Sequence, residues 1–188
     1  MSQDYQADRD VALMMRVAKG DRGAFEQLVI KYQKAVINTA YRYTGNPAAA
    51  EELAQDVFLR VFRSAHTYKP DARFSTWLFT IVRNVCSNFR TRQGKQDQHT
   101  DSEEEASSVA ASAEDPEHRM LRRERERKIR DAVEKLPESL KLPLILHQFQ
   151  QMQYDQIAEI LGITLTAVKV RIHRARQALI EELRELVQ

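Results

Sequence analysis

The sequence predicts an all-α protein built of two small helical domains. Apolar residues recur every three to four positions along several long segments, which is the period of an α-helix. Glycine and proline are few, at five each in 188 residues. Between residues 95 and 114 the pattern gives way to Gln, Ser, Ala and acidic residues, which predicts a flexible linker between the domains. A chain of this length can build one or two small cores but not a large enzyme fold.

The N-terminal half predicts four helices. Gly20 and Gly45 end the first two, and Asp21 is suited to cap the second. Asn46 followed by Pro47 supplies the cap and first turn of the third. These signals place the helices at about residues 10–18, 21–43, 47–62 and 75–89. The third is the most regular, and its apolar set is Ala50, Leu53, Ala54, Val57, Phe58, Val61 and Phe62.

The C-terminal half restarts its helical pattern at Asp115 and Pro116 and continues it to Leu136. Another helix follows, in which Pro143 either lies in the first turn or kinks the helix. Both segments lead toward the most informative part of the chain.

That part, from Tyr154 to Arg176, predicts a helix-turn-helix in which Gly162 permits the turn. Helical spacing gives the second helix a buried stripe of Val168, Ile172, Ala175 and Leu179. The opposite face is exposed and cationic, with Lys169, Val170, His173, Arg174 and Gln177 at its centre and Ala167, Arg171 and Arg176 on its flanks. Such a face suits the major groove of DNA, although a solvated amphipathic helix would carry the same charges.

Charge is segregated along the chain despite a formal net charge of only +2. Every charged residue from Arg83 to Lys95 is basic, and every formally charged residue from Asp97 to Glu117 is acidic. No segment is long enough to span a membrane and the N-terminus lacks a signal-peptide pattern, which predicts a cytoplasmic protein without membrane insertion. The single cysteine, Cys86, excludes an internal disulfide, and its apolar setting favours a packing role.

Aromatic and basic residues are interleaved just before the basic stretch, in the order His66, Tyr68, Lys69, Arg73, Phe74, Trp77 and Phe79. Rings beside cations suit single-stranded nucleic acid, because bases stack on the rings while the charges follow the phosphates. For Trp77 and Phe79 the pattern favours a small core beneath the loop. For Tyr68 and Lys69, which we expect to be exposed in the loop, it favours binding.

Sequence signatures of catalysis are missing. The five histidines are scattered, none has a metal-ligand spacing, and there is no glycine-rich phosphate loop. We therefore expect no enzyme activity, no metal and no cofactor. Glu52 and Asp56 lie one turn apart on the third helix, beside Gln55 and Arg60. Physical chemistry alone favours a solvated face for these carboxylates.

The order of these features resembles that of the extracytoplasmic-function sigma factors, which are two-domain initiation subunits of bacterial RNA polymerase. The resemblance extends from about Asp10 to Leu183, the linker excepted. In the family, the segment similar to residues 50–58 (AEELAQDVF) docks on a coiled coil of the largest polymerase subunits. Against the solvated-face interpretation, the resemblance implies core-polymerase binding by Glu52, Gln55, Asp56 and Phe58.

The stretch from Phe74 to Leu78 (FSTWL), followed by Arg83 and Asn84, resembles the part of the family that melts the promoter and reads the minus-ten element. The resemblance implies a flipped base held in a pocket. The implied minus-ten residues are Tyr68, Lys69, Phe74, Trp77, Arg83, Asn84 and Asn88.

The second domain resembles the part that reads the minus-thirty-five element. The implied residues are Thr166, Ala167, Lys169, Val170, Arg171, His173 and Arg174. This chain has Thr166 and Ala167 where many members have Gly-Thr, and Val170 where many have serine, so promoter preference does not carry over. Ala167 and Val170 could touch thymine methyl groups. Lys169, Arg171 and Arg174 could reach phosphates or guanines.

The resemblance implies a minus-ten domain at residues 1–95, a linker at 96–115 and a minus-thirty-five domain at 116–188. Its partners would be core RNA polymerase, promoter DNA and an anti-sigma factor, in a stress- or envelope-type response. Acidic linker residues would mimic phosphates in a polymerase channel, although their composition fits a plain tether equally well. The main alternative is an autonomous helix-turn-helix regulator that binds duplex operators as a dimer and gives the aromatic loop no function.

Overall fold

The computed structural model describes residues 8–96 and 116–184. Its helices are α1 (Arg9–Val17), α2 (Arg22–Thr44), α3 (Pro47–Arg63), α4 (Phe74–Gln96), α5 (Pro116–Glu134), α6 (Glu138–Gln150), α7 (Tyr154–Leu161) and α8 (Leu165–Glu182), with a 3-10 turn at Ala65–Thr67. All regular secondary structure in these two ranges is helical, which confirms the all-α fold class. The predicted linker, apart from Gln96, lies outside the described residues.

Local capping sets the helix ends close to where the sequence predicts them. The Asp21 side chain accepts a hydrogen bond from the Ala24 N–H (2.9 Å), and the Asn46 side chain accepts one from the Ala49 N–H (3.0 Å). Gly45 ends α2 in the left-handed conformation, at φ 72°, which glycine adopts without strain. As a result, α2 and α3 begin and end within one residue of the prediction.

The first unit, α1 to α4, is organised around the long helix α2. α2 packs along α3, and α1 and α4 pack onto this pair. The side chains of Met14, Leu28, Phe74 and Leu78 are almost fully buried at its centre. The loop between α3 and α4 therefore connects two helices that are both packed into this core.

The second unit is formed by α5 to α8, and its core lies between α6, α7 and α8. Ile145, Ile157, Ile160 and Ile172 are completely or almost completely buried there. Pro143 is the sixth residue of α6, and the helix continues beyond it to Gln150. Of the two predicted alternatives, a place in the first turn is therefore wrong.

The two units pack against each other, with α2 contacting α5 and α6, and α4 contacting α7. The Gln150 amide donates a hydrogen bond to Thr39 Oγ1 (2.9 Å). The Arg42 guanidinium lies 3.5 Å from the centroid of the Phe149 ring. Buried apolar residues of both units also belong to one continuous cluster, so the interface combines apolar and polar contacts.

In the described ranges, no helix has both the length and the apolar character that a membrane crossing requires.

Candidate functional site

The recognition helix predicted in the C-terminal unit is α8, and its two faces are separated as the sequence indicates. Val168, Ile172 and Ala175 are buried. Of the candidate DNA-binding residues, Ala167 and Arg171 are half-buried on the flanks. The exposed candidates are Thr166, Lys169, Val170, His173 and Arg174. The outward face of α8 is therefore cationic, with an apolar side chain between the cations.

Two local features fix where α8 begins. Gly162 ends α7 in the left-handed conformation at φ 66°, and Thr164 caps α8 by accepting a hydrogen bond from the Ala167 N–H (3.2 Å). This start exposes Leu165, which lines a shallow groove together with Lys169. Sequence reasoning missed Leu165, because an apolar residue in a helix is assigned by default to a core.

The predicted polymerase-binding residues lie on α3. Glu52 and Gln55 are exposed, whereas Phe58 is half-buried against the core. The Asp56 carboxylate accepts a hydrogen bond from Arg60 Nε at 3.0 Å and forms an ion pair with Nη2 at 2.9 Å. Because this pair is partly exposed to solvent, it adds little stability and leaves the carboxylate available to a partner.

Two apolar side chains, Leu59 and Phe62, also lie outward on α3. They are 53% and 43% exposed, and helical spacing puts them on one side with residues 52, 55 and 56. Phe62 belongs to the apolar set of the third helix but lies outside the core, with its ring against Phe25 at the surface and 5.1 Å between centroids. Leu59 is absent from the sequence-based candidates, although an apolar residue on the polar side of the helix is a usable signal. We call Glu52, Gln55, Asp56, Leu59 and Phe62 the α3 stripe.

The loop before α4, residues 68–73, carries the predicted aromatic and basic residues. Tyr68 is only 6% exposed, so the expectation that it is an exposed loop residue is wrong. Its ring lies edge-on to the rings of Trp77 and Phe74, with centroids 5.1 and 6.3 Å apart. Phe74 is buried as well, and neither ring presents a free face to a base in this structure. Lys69 and Arg73 are exposed.

This burial has a simple physical cause. The rings bury one another, because edge-on aromatic contacts add to the gain from removing apolar surface from water. Phe79 is also buried, as the sequence favours, whereas Trp77 is half-buried and packs against the core with part of its surface exposed. We call the rings of Tyr68, Phe74 and Trp77 the aromatic floor; the exposed Lys69 and Arg73 adjoin two of these residues in the chain.

Of the polar candidates on α4, Arg83 lies close to the helix-turn-helix. Asn84 and Asn88 are exposed, and Arg83 is half-buried. Arg83 donates hydrogen bonds to Asn84 Oδ1 from Nε (3.1 Å) and Nη2 (2.7 Å). A Cβ atom on Gly162 would lie 3.9 Å from Arg83 Nη1. The structure thus brings a minus-ten candidate next to the turn that precedes α8.

Metal or thiol chemistry has no support in the described ranges. No three His, Cys, Asp or Glu side chains there are grouped as metal ligands would be. The thiol of Cys86 is buried. Burial, followed by the negative charge of Glu138, raises its pKa to about 12. A thiol in this state packs rather than reacts, as the sequence indicates.

Comparison with known proteins gives matches in both units. Residues 28–96 match the family described as Sigma-70 region 2, and residues 126–179 match Sigma-70 region 4. The chain is 31% identical to the RNA polymerase sigma-H factor of Pseudomonas aeruginosa, over 96% of each protein. It is 33% identical to the ECF RNA polymerase sigma-E factor of Haemophilus influenzae, over 95% of this chain and 97% of that one. Its identity to the sigma factor SigW of Bacillus subtilis is 33%, over 91% and 95%.

Two solved structures resemble this chain in fold. The structure of CnrH in complex with the cytosolic domain of CnrY has a TM-score of 0.73 and 25% identity, over 95% of this chain and 99% of that one. The fold is also that of the sigma factor RpoE of Bartonella quintana, solved with the anti-sigma factor NepR, at a TM-score of 0.69 and 21% identity, over 85% and 96%.

Proposed function

The chain belongs to the extracytoplasmic-function group of sigma-70 factors, and from this premise we propose that three of its surfaces divide the work of promoter-specific initiation. A sigma factor is a specificity subunit of RNA polymerase and not itself an enzyme. The surfaces are the α3 stripe, the loop and outward face of α4, and the outward face of α8. In this proposal the minus-ten domain is residues 1–95, the linker 96–115 and the minus-thirty-five domain 116–188.

The α3 stripe is the surface that binds core polymerase. Leu59 and Phe62 are large apolar side chains at the surface of an otherwise polar helix face. Protein interfaces have this composition, with an apolar centre that loses its water and a polar rim that sets orientation. Glu52, Gln55 and Asp56 supply the rim. This exposed apolar centre is the observation that carries the proposal.

The minus-ten element is read by the loop and by α4. Lys69 and Arg73 are exposed cations that would neutralise phosphates of an opened strand. The amides of Asn84 and Asn88 can both donate to and accept from the edges of unpaired bases. Tyr68 and Phe74 are buried, so they pack within the domain instead of stacking on bases. Trp77 is half-buried and keeps part of its ring accessible.

The minus-thirty-five element is read by α8 in the major groove. Lys169, Arg171 and Arg174 reach phosphates or guanines. Ala167 and Val170 offer methyl groups to thymine, and Thr166 and His173 add polar contacts.

Regulation is by an anti-sigma protein that covers the α3 stripe, in a cytoplasmic stress- or envelope-type response. Support comes from the sigma factor RpoE of Bartonella quintana, which has the same fold and was solved in complex with the anti-sigma factor NepR. An autonomous dimeric regulator would instead bind duplex promoter fragments tightly without polymerase and would give the aromatic loop no function.

The test is an equilibrium measurement of association between the full chain and core RNA polymerase. Leu59→Ala should weaken association by about tenfold or more, because a central interface residue contributes more than about 1.4 kcal/mol. Ile30→Ala is the matched control, since Ile30 is an exposed residue of the same size on α2, at 63%. Wild-type affinity for Leu59→Ala would remove the α3 stripe from the interface.

A further inference from the structure

Asp10, in the first turn of α1, is a buried carboxylate with an unusual set of partners. It is 6% exposed. Its two oxygens accept hydrogen bonds from Lys31 Nζ at 2.7 and 2.6 Å, and Oδ2 accepts another from the Tyr32 hydroxyl at 2.5 Å. Removing a carboxylate from water is costly unless several donors replace the water. The arrangement therefore ties α1 to two neighbouring residues of α2.

Lys31 and Tyr32 differ in how strictly their contact with Asp10 fixes the geometry. The Lys31 side chain is 55% exposed, so its ion pair with Asp10 is screened by solvent and tolerates many geometries. The Tyr32 hydroxyl is directional and sits on a rigid ring, whose position is fixed once the hydroxyl is held. Tyr32 is thus the partner through which Asp10 can act at a distance.

The Tyr32 ring continues into the aromatic floor of the loop. It lies edge-on to Phe74, with 5.3 Å between centroids. Phe74 in turn contacts Tyr68 and Trp77 at 6.3 and 6.0 Å. An unbroken series of contacts therefore runs from Asp10 on α1, through α2, to both ends of residues 68–73.

The exposed cations of the loop are direct chain neighbours of this floor. Lys69 follows Tyr68, and Arg73 precedes Phe74. The positions of the Tyr68 and Phe74 rings therefore restrict the backbone positions of Lys69 and Arg73. Any shift of the Tyr32 ring would be passed to Phe74, because close-packed rings transmit displacement rather than absorb it.

We propose that Asp10 is a positioning residue for promoter opening, which holds the Tyr32 hydroxyl and thereby fixes the aromatic floor that adjoins Lys69 and Arg73. The proposal rests on the proposed function in giving these cations a role at the minus-ten element. It adds a residue that lies before the matched sigma-70 region 2 segment, which begins at residue 28.

Stability alone does not require a carboxylate at this place. Replacing a buried ion pair by apolar residues of similar volume is often neutral or stabilising, whereas a buried hydrogen bond specifies one geometry. An effect of Asp10 on promoter opening that exceeds its effect on folding is therefore the signature of positioning.

The experiment uses full-length protein with core polymerase and a promoter carrying a fluorescent base analogue in the minus-ten element. Asp10→Ala and Tyr32→Phe should each lower the equilibrium for promoter opening about tenfold, because each breaks the same charge-assisted hydrogen bond. Core affinity should stay at the wild-type value. The double variant should open no worse than either single variant, because the lost bond is shared. Asp10→Asn, which keeps an acceptor oxygen for the Tyr32 hydroxyl, should recover most of the opening.

Asp21→Ala is the matched control for general destabilisation. Asp21 caps α2 at Ala24 and accepts from Arg16 Nη2 at 2.7 Å, at the other end of α1. This variant should melt at a lower temperature and open promoters normally. Additive effects of Asp10→Ala and Tyr32→Phe, or an opening loss no larger than that of Asp21→Ala, would overturn the positioning role.

Lys69→Ala and Arg73→Ala in the same assay distinguish the role of the loop at the minus-ten element from the positioning role of Asp10. If both open promoters normally, the loop does not act at the minus-ten element, and the positioning role falls with that assignment. If they lose opening while Asp10→Ala and Tyr32→Phe keep it, only the positioning role is wrong.

Discussion

Arg174 lies on the exposed face of α8, one turn after Val170. If it meets a phosphate, Arg174→Ala should weaken binding of the holoenzyme to promoters of any minus-thirty-five sequence. It should also lower the slope of log affinity against log salt by about 1, since one fewer counterion is released. A salt titration measures both.

The matched control is Arg184→Ala. Arg184 is also exposed, but it lies beyond the end of α8 and is paired with Glu181 at 2.7 Å. It should leave the salt slope unchanged, and the same unchanged slope for Arg174→Ala would exclude a phosphate contact.

Cys86 makes the stability of the fold sensitive to alkaline pH. Burial raises its pKa from the ordinary value of 9.0 to about 12. A raised pKa favours the protonated form in the folded state, so the contribution is complete below about pH 9 and is lost as pH rises toward 12. Between pH 8 and 10 the free energy of unfolding should fall by roughly 1 kcal/mol more in the wild type than in Cys86→Ala. Denaturant titrations at the two pH values test this, and parallel losses would contradict it.

Single residues are also where sequence reasoning reached its limit. The two faces of α8 follow from helical spacing alone, because one face of a periodic helix must be buried. Tyr68 and Leu59 do not follow from spacing. Whether a loop tyrosine is exposed depends on rings that approach it from other elements, and whether an apolar helix residue faces water depends on which neighbour covers it. Tertiary packing decides both, and no local pattern records it.

At the level of helices and turns, local chemistry is sufficient. Asp21, Asn46 and Gly45 set the ends of α2 and α3 as the sequence indicates, because a cap satisfies backbone groups that the helix itself leaves unpaired. Pro143 shows the exception. Its effect depends on the packing of α6, where it lies buried within the helix.

Gly162 provides a prediction at this scale. Its φ of +66° is the only obstacle to a side chain, because a Cβ there would meet its nearest neighbour at an ordinary 3.9 Å. Gly162→Ala should therefore destabilise the fold by about 1 kcal/mol through backbone strain. Chemical denaturation of the full chain measures the change.

Gly23→Ala is the matched control on α2. Its φ is not positive, and its Cβ would lie 3.5 Å from Asp21 Oδ1, again an ordinary contact. This variant should gain about 0.5 to 1 kcal/mol from helix propensity. Equal effects of the two alanines would show that the left-handed turn does not constrain the helix-turn-helix.

For the whole molecule, the contact between the two units limits which surfaces can act together. α7 lies against α4, next to Arg83, while the α3 stripe and the outward face of α8 remain exposed. A compact chain of 188 residues has a radius of gyration of about 16 Å. The two promoter elements lie roughly 25 base pairs or 85 Å apart, at about 3.4 Å per base pair. The packed arrangement cannot span this distance.

The units should therefore separate when the holoenzyme engages a promoter. Probes attached at Gln33→Cys on α2 and Ala178→Cys on α8, both exposed positions, would report the distance between the units. It should increase on going from the free protein to the promoter complex, because the packed units cannot reach elements roughly 85 Å apart. An unchanged distance in a complex that initiates transcription would show that the two units do not read separate elements.

If this chain gives core RNA polymerase its promoter specificity, transcription start sites will depend on it, and mapping those sites is the decisive experiment. The purified protein is mixed with core polymerase and a library of promoter fragments, and the 5′ ends of the transcripts are sequenced. With the wild type, we expect defined start sites that share two upstream elements. With Leu59→Ala at limiting polymerase, these start sites should be lost. Specific binding of the protein alone to duplex fragments, with no start sites, would contradict its role as a specificity subunit.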